Sequence, residues 1–471
     1  MILMDRVQAD MQLLSFVTHD FAASKLVPRS MHQTVYNGTT VPRGKPDQKS
    51  PIKRETIKIM STKLKVTIIA SSLAILLFTI VGGFVNVRAS SNDGAYRQLS
   101  VYSEVLSRIR LEYVEEPNIA GVTDGALHGL LESLDANSSY LSAAEYKRYK
   151  TMKSDGKADI GATVSKRFGY AAVVAVIPGG PADKAGVDNS DIIESIEGKS
   201  THEMSLAEIH AMLYGEVGST ITVAVVRPRR AEPQKIVITR DLVTIPPVSD
   251  KMLADNVGYI QVDAFPEGKS QEIAGKIRDL QKQGAKKLVL DLRNSASGVE
   301  SEGVATANLF LDHGTIAYLQ GQKYPRQAFN ADPTKDITKL PVAVLVNRGT
   351  AGPAEIVAAA ILENARGDVV GDKTFGDGSV QKLIEMPDSS ALILSVAKYY
   401  SPSGKAIQDV SVTPNVLVAD ATEDDGGLPD EDQQAAPGEK PSDKRDEKPK
   451  NLIDDQLNKA LEVLKNRESK G

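Results

Sequence analysis

The chain has 471 residues, 41% hydrophobic and 25% charged, an ordinary globular composition with room for two or three domains. A net charge of −5, with no basic stripe interleaved with aromatics, gives no reason to expect a nucleic-acid partner. There is no cysteine, which excludes disulfides, thiol catalysis and thiolate metal sites. The six histidines are scattered and form no HExxH pattern, so neither a metal nor a cofactor is expected.

Residues 1–59 are polar and irregular. Residues 66–87 (VTIIASSLAILLFTIVGGFVNV) are uncharged and strongly apolar, about the length that crosses a bilayer. Lys53, Arg54, Lys58, Lys63 and Lys65 precede them, which by the positive-inside rule leaves the N-terminus in the cytoplasm and the bulk outside. The expectation is a single-pass inner-membrane protein with a periplasmic body, residues 66–87 serving as its membrane contact. Val87-Arg88-Ala89 resembles a signal-peptidase site, so the segment is either cleaved or kept; its length favours a signal anchor. Met60-Ser-Thr-Lys-Leu-Lys would itself make a normal start, so residues 1–65 are either a cytoplasmic segment or an upstream extension.

Residues 97–152 read as helical, with an apolar stripe at Val101, Val105, Ile109 and Leu111 and a second at Leu127, Leu130, Leu131 and Leu134. They suit packing or homodimer contact. Residues 153–240 have the short strands and turns of a small β-rich domain: strands at Val173–Val176, 191–196, 221–227 and 235–239, and a helix at 205–213. His202 and His210, eight apart near that helix, read as surface residues rather than a ligand pair.

Residues 241–420 alternate strands and helices, the pattern of an α/β layered core. Its most informative stretch is Leu340 to Gln381. The run Val342–Val346 reads as a buried strand, and Pro353 and Glu355 open a helix with Ile356, Ala359 and Ala360 on its apolar face. A second apolar run at Val369 and Val370 leads to the loop Phe375-Gly376-Asp377-Gly378-Ser379. Strand, helix start, strand and glycine loop in this order could bring a nucleophile and a base together. Residues 421–451 are low-complexity and cannot bury a core. Residues 452–468 recover a helical stripe at Ile453, Leu457, Leu461 and Leu464.

Asn347 and Glu355, followed by Phe375, Gly376, Gly378, Val380 and Gln381, resemble the signature of the C-terminal (tail-specific) processing peptidases. These are serine peptidases with a Ser–Lys dyad and a PDZ domain. The segments PGGPADKAGV, DIIESIEGK, GYIQVDAF and YYSPSGKAIQ extend the resemblance over about residues 97–420. It implies a crotonase/ClpP-like spiral α/β core with an inserted PDZ domain. It also implies that Asp159-Ile160-Gly161-Ala162 forms the loop that captures a peptide carboxylate, with Leu206, Ile209 and Leu213 lining the groove. Laid on the family pattern, the nucleophilic serine falls on Gly352 and the basic lysine on Asp377. Gln381 is retained. In the loop 292–299, where the family supplies oxyanion donors, the proline and first glycine are Ala296 and Ser297, and only Gly298 remains.

Glycine offers no nucleophile, and an aspartate, with a reference pKa of about 3.9, is a weak base. The resemblance with these departures implies a pseudo-peptidase that binds C-terminal or unfolded peptides, in company with a second copy or an active paralogue. The alternative is an active serine-type endopeptidase acting on periplasmic or envelope proteins through a displaced dyad, Thr350 with Lys373 or Lys382.

Overall fold

The computed structural model describes residues 66, 70–73, 93–152, 158–227, 232–419 and 454–468. Helices α1 (Asp93–Glu112) and α2 (Ile119–Glu132) come first, α2 capped by Asn118, whose side-chain oxygen accepts the Gly121 N–H. Strand β1 (Ser139–Leu141) and α3 (Ala143–Met152) follow.

The β-rich domain comprises β2 (Ala162–Arg167), β3 (Tyr170–Val176), α4 (Pro181–Ala185), β4 (Ile192–Ile196), β5 (Lys199–Ser200), α5 (Leu206–Leu213), β6 (Thr220–Val226) and β7 (Gln234–Thr239). Its antiparallel sheet runs β2-β3-β4-β6-β7, with β5 also on β4, so β2 lies at an edge. Inward residues of the strands and of α5 form one apolar cluster that includes Ile160, Val173, Ile193, Ile209, Leu213, Val223 and Ile238. The two histidines divide: His202 sits in a separate 3-10 turn, Thr201–Glu203, and is exposed as read, whereas His210 on α5 is half-buried, its ring donating to the Val164 carbonyl.

The core follows with β8 (Ser249–Leu253), β9 (Val257–Gln261), α6 (Lys269–Lys282), β10 (Lys287–Asp291), α7 (Glu300–Asn308), β11 (Thr315–Gln320), β12 (Gln327–Asn330) and β13 (Val342–Val346). Then come α8 (Pro353–Glu363), β14 (Gly367–Gly371), β15 (Ser379–Glu385), β16 (Ala391–Tyr400), β17 (Val416–Leu417) and α9 (Asp455–Glu468). One sheet has the order β17-β14-β13-β10-β9-β8, parallel except for β8. The other joins β1-β16-β11-β12, with β15 also on β16.

The mostly parallel sheet is covered on both faces, which is why β13 and the centre of β10 (Leu288–Leu290) are unbroken apolar runs rather than alternating ones. Leu288, Leu290, Val342 and Val344 face Ile277, Leu280, Val357 and Ile361 on one side. Val289, Ala343, Leu345 and Val370 face Ala460 and Leu464 of α9 on the other. An ionic clasp adds to the α9 contact: Arg293 donates to both Asp291 and Asp454, and Asp454 accepts the Leu457 N–H that opens α9.

The expected membrane anchor is overturned. Crossing a bilayer needs about 20 consecutive apolar helical residues, and no helix among the described residues is long and apolar enough. Within 66–87 only Val66 and residues 70–73 are described, as helix; the rest of that stretch, with residues 1–65, the supposed cleavage site at 87–89 and the linker 421–451, lies outside the described residues. The single-pass inner-membrane placement, which rested on that anchor, falls with it.

Candidate functional site

Three loops leave the carboxyl ends of the adjacent parallel strands β10, β13 and β14, where open α/β sheets hold their ligands. The register places Asp291 beside Leu345 and Val346 beside Gly371, so the loops start side by side. Residues 347–352 turn sharply from β13 into α8. Asn347 ties this turn to the neighbouring loop: its side-chain oxygen accepts the Asn294 N–H at 3.0 Å, and its amide donates to the Asn294 side-chain oxygen at 2.9 Å. The Ala351 N–H donates to the Ser295 carbonyl at 2.9 Å.

Gly352 stands at the start of α8 with φ 59° and ψ −121°. This backbone region is one that glycine adopts freely and a side chain occupies at a cost of about 1–3 kcal/mol. A strained strand-to-helix turn is also the setting in which a nucleophile elbow presents its side chain. A Cβ added at 352 would meet no atom within 4 Å. The position therefore faces open space, but it carries nothing to react.

Glu355, one turn into α8, is fully buried. Its carboxylate accepts the Gly352 N–H at 3.1 Å, the Gly376 N–H at 2.9 Å, the Asp377 N–H at 2.8 Å and the Thr374 hydroxyl. One side chain thus pins the elbow to the glycine loop. Burial pushes its carboxyl up to about 8, against the pull of these donors.

Asp377 lies beside it, largely enclosed. Its carboxylate accepts from the Asn137 amide at 3.3 Å, and that amide also donates to the Ser379 hydroxyl at 2.9 Å. Gln381 donates to the same hydroxyl at 2.7 Å. Burial raises Asp377 above the ordinary carboxylate range, and raises Glu300 likewise, with the Asp377 charge adding to the effect at Glu300. The floor of the cleft is acidic where the family pattern calls for an amine.

Thr350 is fully buried; its hydroxyl donates to the Leu292 carbonyl at 2.8 Å and accepts the Asn347 N–H at 3.0 Å. It braces the turn. Lys373 and Lys382 are exposed. None of the hydrogen bonds of the Thr350 hydroxyl reaches either lysine.

Pro353 escaped the sequence reading as a functional position. A nucleophile elbow takes one oxyanion donor from the backbone N–H of the residue after the nucleophile, and proline has none. The signal was in plain view at 352–353, masked by proline's suitability for a first helical turn.

Gly298 is held for packing. Its φ is 133°, and a Cβ there would fall 2.2 Å from the Phe265 carbonyl oxygen. The adjoining bonds, Phe265 N–H to Ser297 carbonyl and Val299 N–H to Phe265 carbonyl, are each 2.8 Å. Gly298→Ala is therefore expected to force this loop apart and destabilise the chain by about 2 kcal/mol or more in urea unfolding.

Strand β3 of the β-rich domain lies against this region: Val174 and Ala175 pack with Ala296, Ala351 and Phe375. Of the expected groove residues, Ile160, Ile209 and Leu213 are in the domain's core, Leu206 is buried and Ala162 packs at its margin. Gly161 sits in the left-handed region at φ 74°.

A PDZ-bearing peptidase scaffold is what this fold and cleft amount to, and comparison with known proteins agrees. Residues 256–418 match Peptidase family S41 and residues 173–227 match the PDZ domain. The chain is 31% identical over 338 residues to a carboxy-terminal-processing protease of Bartonella bacilliformis, covering 71% of this chain and 78% of that one. It is 31% identical over 365 residues to the carboxy-terminal processing protease CtpA of Bacillus subtilis, covering 77% of each. Among solved structures it is similar to the photosystem II D1 C-terminal processing protease, with a TM-score of 0.58 and 28% identity over 67% of this chain and 86% of that one. The chain belongs to the C-terminal processing peptidases of family S41.

Proposed function

We propose that this member is a pseudo-peptidase, retaining the family's frame as a peptide-binding protein without its hydrolytic chemistry. The observation that carries this reading is the elbow itself. Position 352 has the backbone angles and free space for a nucleophile, yet holds glycine, and the next residue has no N–H. Asp377 stands where the family pattern has the basic lysine, and a carboxyl there supplies no amine to take a nucleophile's proton.

The displaced-dyad alternative finds no support in Thr350, whose hydroxyl is engaged by backbone on both sides. The PDZ domain supports a peptide partner, with unfolded or C-terminal segments as its class. The domain limits that serve this reading are 97–152, 153–240 and 241–420, with residues 452–468 as a docking helix.

The test incubates the full chain with an unfolded protein and follows products by mass spectrometry. No cleavage is expected from the wild type, with the substrate recovered intact. Cleavage that disappears in Thr350→Ala would overturn the reading and reinstate a displaced nucleophile.

A further inference from the structure

A PDZ groove takes a peptide by adding it to an edge strand and holding its terminal carboxylate on backbone N–H groups of the preceding loop. Here the edge strand is β2, the facing helix is α5 and the loop is residues 159–161. Several of the polar positions a ligand would use are already engaged from within the chain.

The Asp159 carboxylate accepts the Ile160 N–H at 2.6 Å, and the Gly161 N–H also bears on it. The backbone of Asp159 is fixed by a two-way bridge to Asp241, at 3.1 and 3.2 Å, and that of Ala158 by a bridge to Gly215, at 2.9 and 3.0 Å. The carboxylate is therefore held in place rather than sampling the loop. Further along, His210 Nε2 donates to the Val164 carbonyl at 2.9 Å, an acceptor on the free edge of β2. Beyond it, Lys166 Nζ donates to the Met204 carbonyl at 2.7 Å and pairs with Glu132 of α2 at 2.9 Å. Arg240 meanwhile donates to the Leu213 and Met212 carbonyls and ties down the end of α5.

We propose that this groove is latched by its own side chains: the Asp159 carboxylate stands in for a peptide's terminal carboxylate, and His210 stands in for a backbone N–H of the added strand. The latch rests on the reading of the chain as a peptide binder and states how that same site is regulated. The resting groove rejects free C-termini, and removing the Asp159 carboxylate exposes the N–H groups that recognise them. The groups facing Asp159 fit this role. Burial raises its carboxyl above the ordinary range, against the pull of the loop N–H groups, His210 and Arg240, and the hydrogen bonds to the loop N–H groups hold it in place.

The experiment uses the full chain and two fluorescein-labelled peptides of about ten residues, identical except for a free carboxylate or an amide at the C-terminus. Anisotropy is measured for wild type, Asp159→Ala and Asp159→Gly (D159G), the glycine variant repeating the test should the alanine variant fail to fold. Wild type is expected to bind the two peptides alike and weakly. The variants are expected to bind the carboxylate peptide at least about 10-fold more tightly than the amide, the size of one charge-assisted contact, and His210→Ala combined with D159G is expected to bind it more tightly still. A wild type that already prefers the carboxylate by that factor overturns the latch and leaves peptide binding standing. Variants that bind both peptides equally also overturn the latch. No binding of either peptide by any chain overturns the latch and the peptide-binding reading together.

Discussion

Gly352→Ser with Asp377→Lys is expected to remain at least about 100-fold less active than the triple variant that also carries Pro353→Ala, the cost of one missing oxyanion donor. The serine has room, since nothing lies within 4 Å of its Cβ, though its backbone angles carry strain of about 1–3 kcal/mol. Serine alone, however, would generate an oxyanion next to a residue without an N–H. Alanine at 353 supplies that donor and keeps the helix start. The lysine faces a second obstacle. Its ammonium must lose a proton before it can act as a general base, and the Glu355 carboxyl beside it adds a negative charge, which opposes that loss, only as pH rises towards about 8. The triple variant's activity is therefore expected to rise with pH into the alkaline range. Covalent labelling of Ser at 352 by a fluorophosphonate, read by mass spectrometry, separates nucleophile formation from turnover. Equal rates for the double and triple variants would remove proline from the explanation.

Glu355→Ala is expected to be the most destabilising single change in the cleft, about 3–5 kcal/mol in urea unfolding. It would leave three backbone N–H groups and the Thr374 hydroxyl without their acceptor in a dry interior, and it would uncouple the elbow from the glycine loop. Glu355→Gln keeps the volume and one oxygen and should cost less. The two variants are separated by pH. Unfolded, this carboxyl ionises near its ordinary value; folded, burial holds its proton until about pH 8. Between those limits the folded state binds the extra proton, so this group's contribution to stability falls as pH rises through the window. The difference between wild type and Glu355→Gln should accordingly change between pH 5 and pH 8.5. A difference that stays flat would show that the four donors hold the carboxylate ionised throughout.

Much of this architecture was legible from residue order. Val342–Val346 is a strand with the bounds its apolar run suggested, and Pro353 does open the helix. Both signals are local: a continuous apolar run between turns, and a fixed φ at a first helical turn. Strand β2 was not legible, because ATVSKR is mostly polar and becomes a strand through pairing with β3. The membrane reading failed as well. Apolar content over 66–87 suggests a span, but no helix of the required length and hydrophobicity occurs among the described residues.

The sequence by itself determined which groups stand at three positions: no side chain at 352, an acid at 377 and no N–H at 353, facts of covalent structure that no fold can alter. Only the tertiary structure decided what the remaining residues do. Gly298 is retained because Phe265 backbone approaches it, Thr350 is spent on backbone, and Glu355 gathers donors from positions 352, 374, 376 and 377. Asp159 and His210 likewise acquire their places in the groove only when β2, α5 and the loop at 159–161 meet. Hydrogen bonds and close contacts join residues distant along the chain, and their geometry is set by packing rather than by spacing.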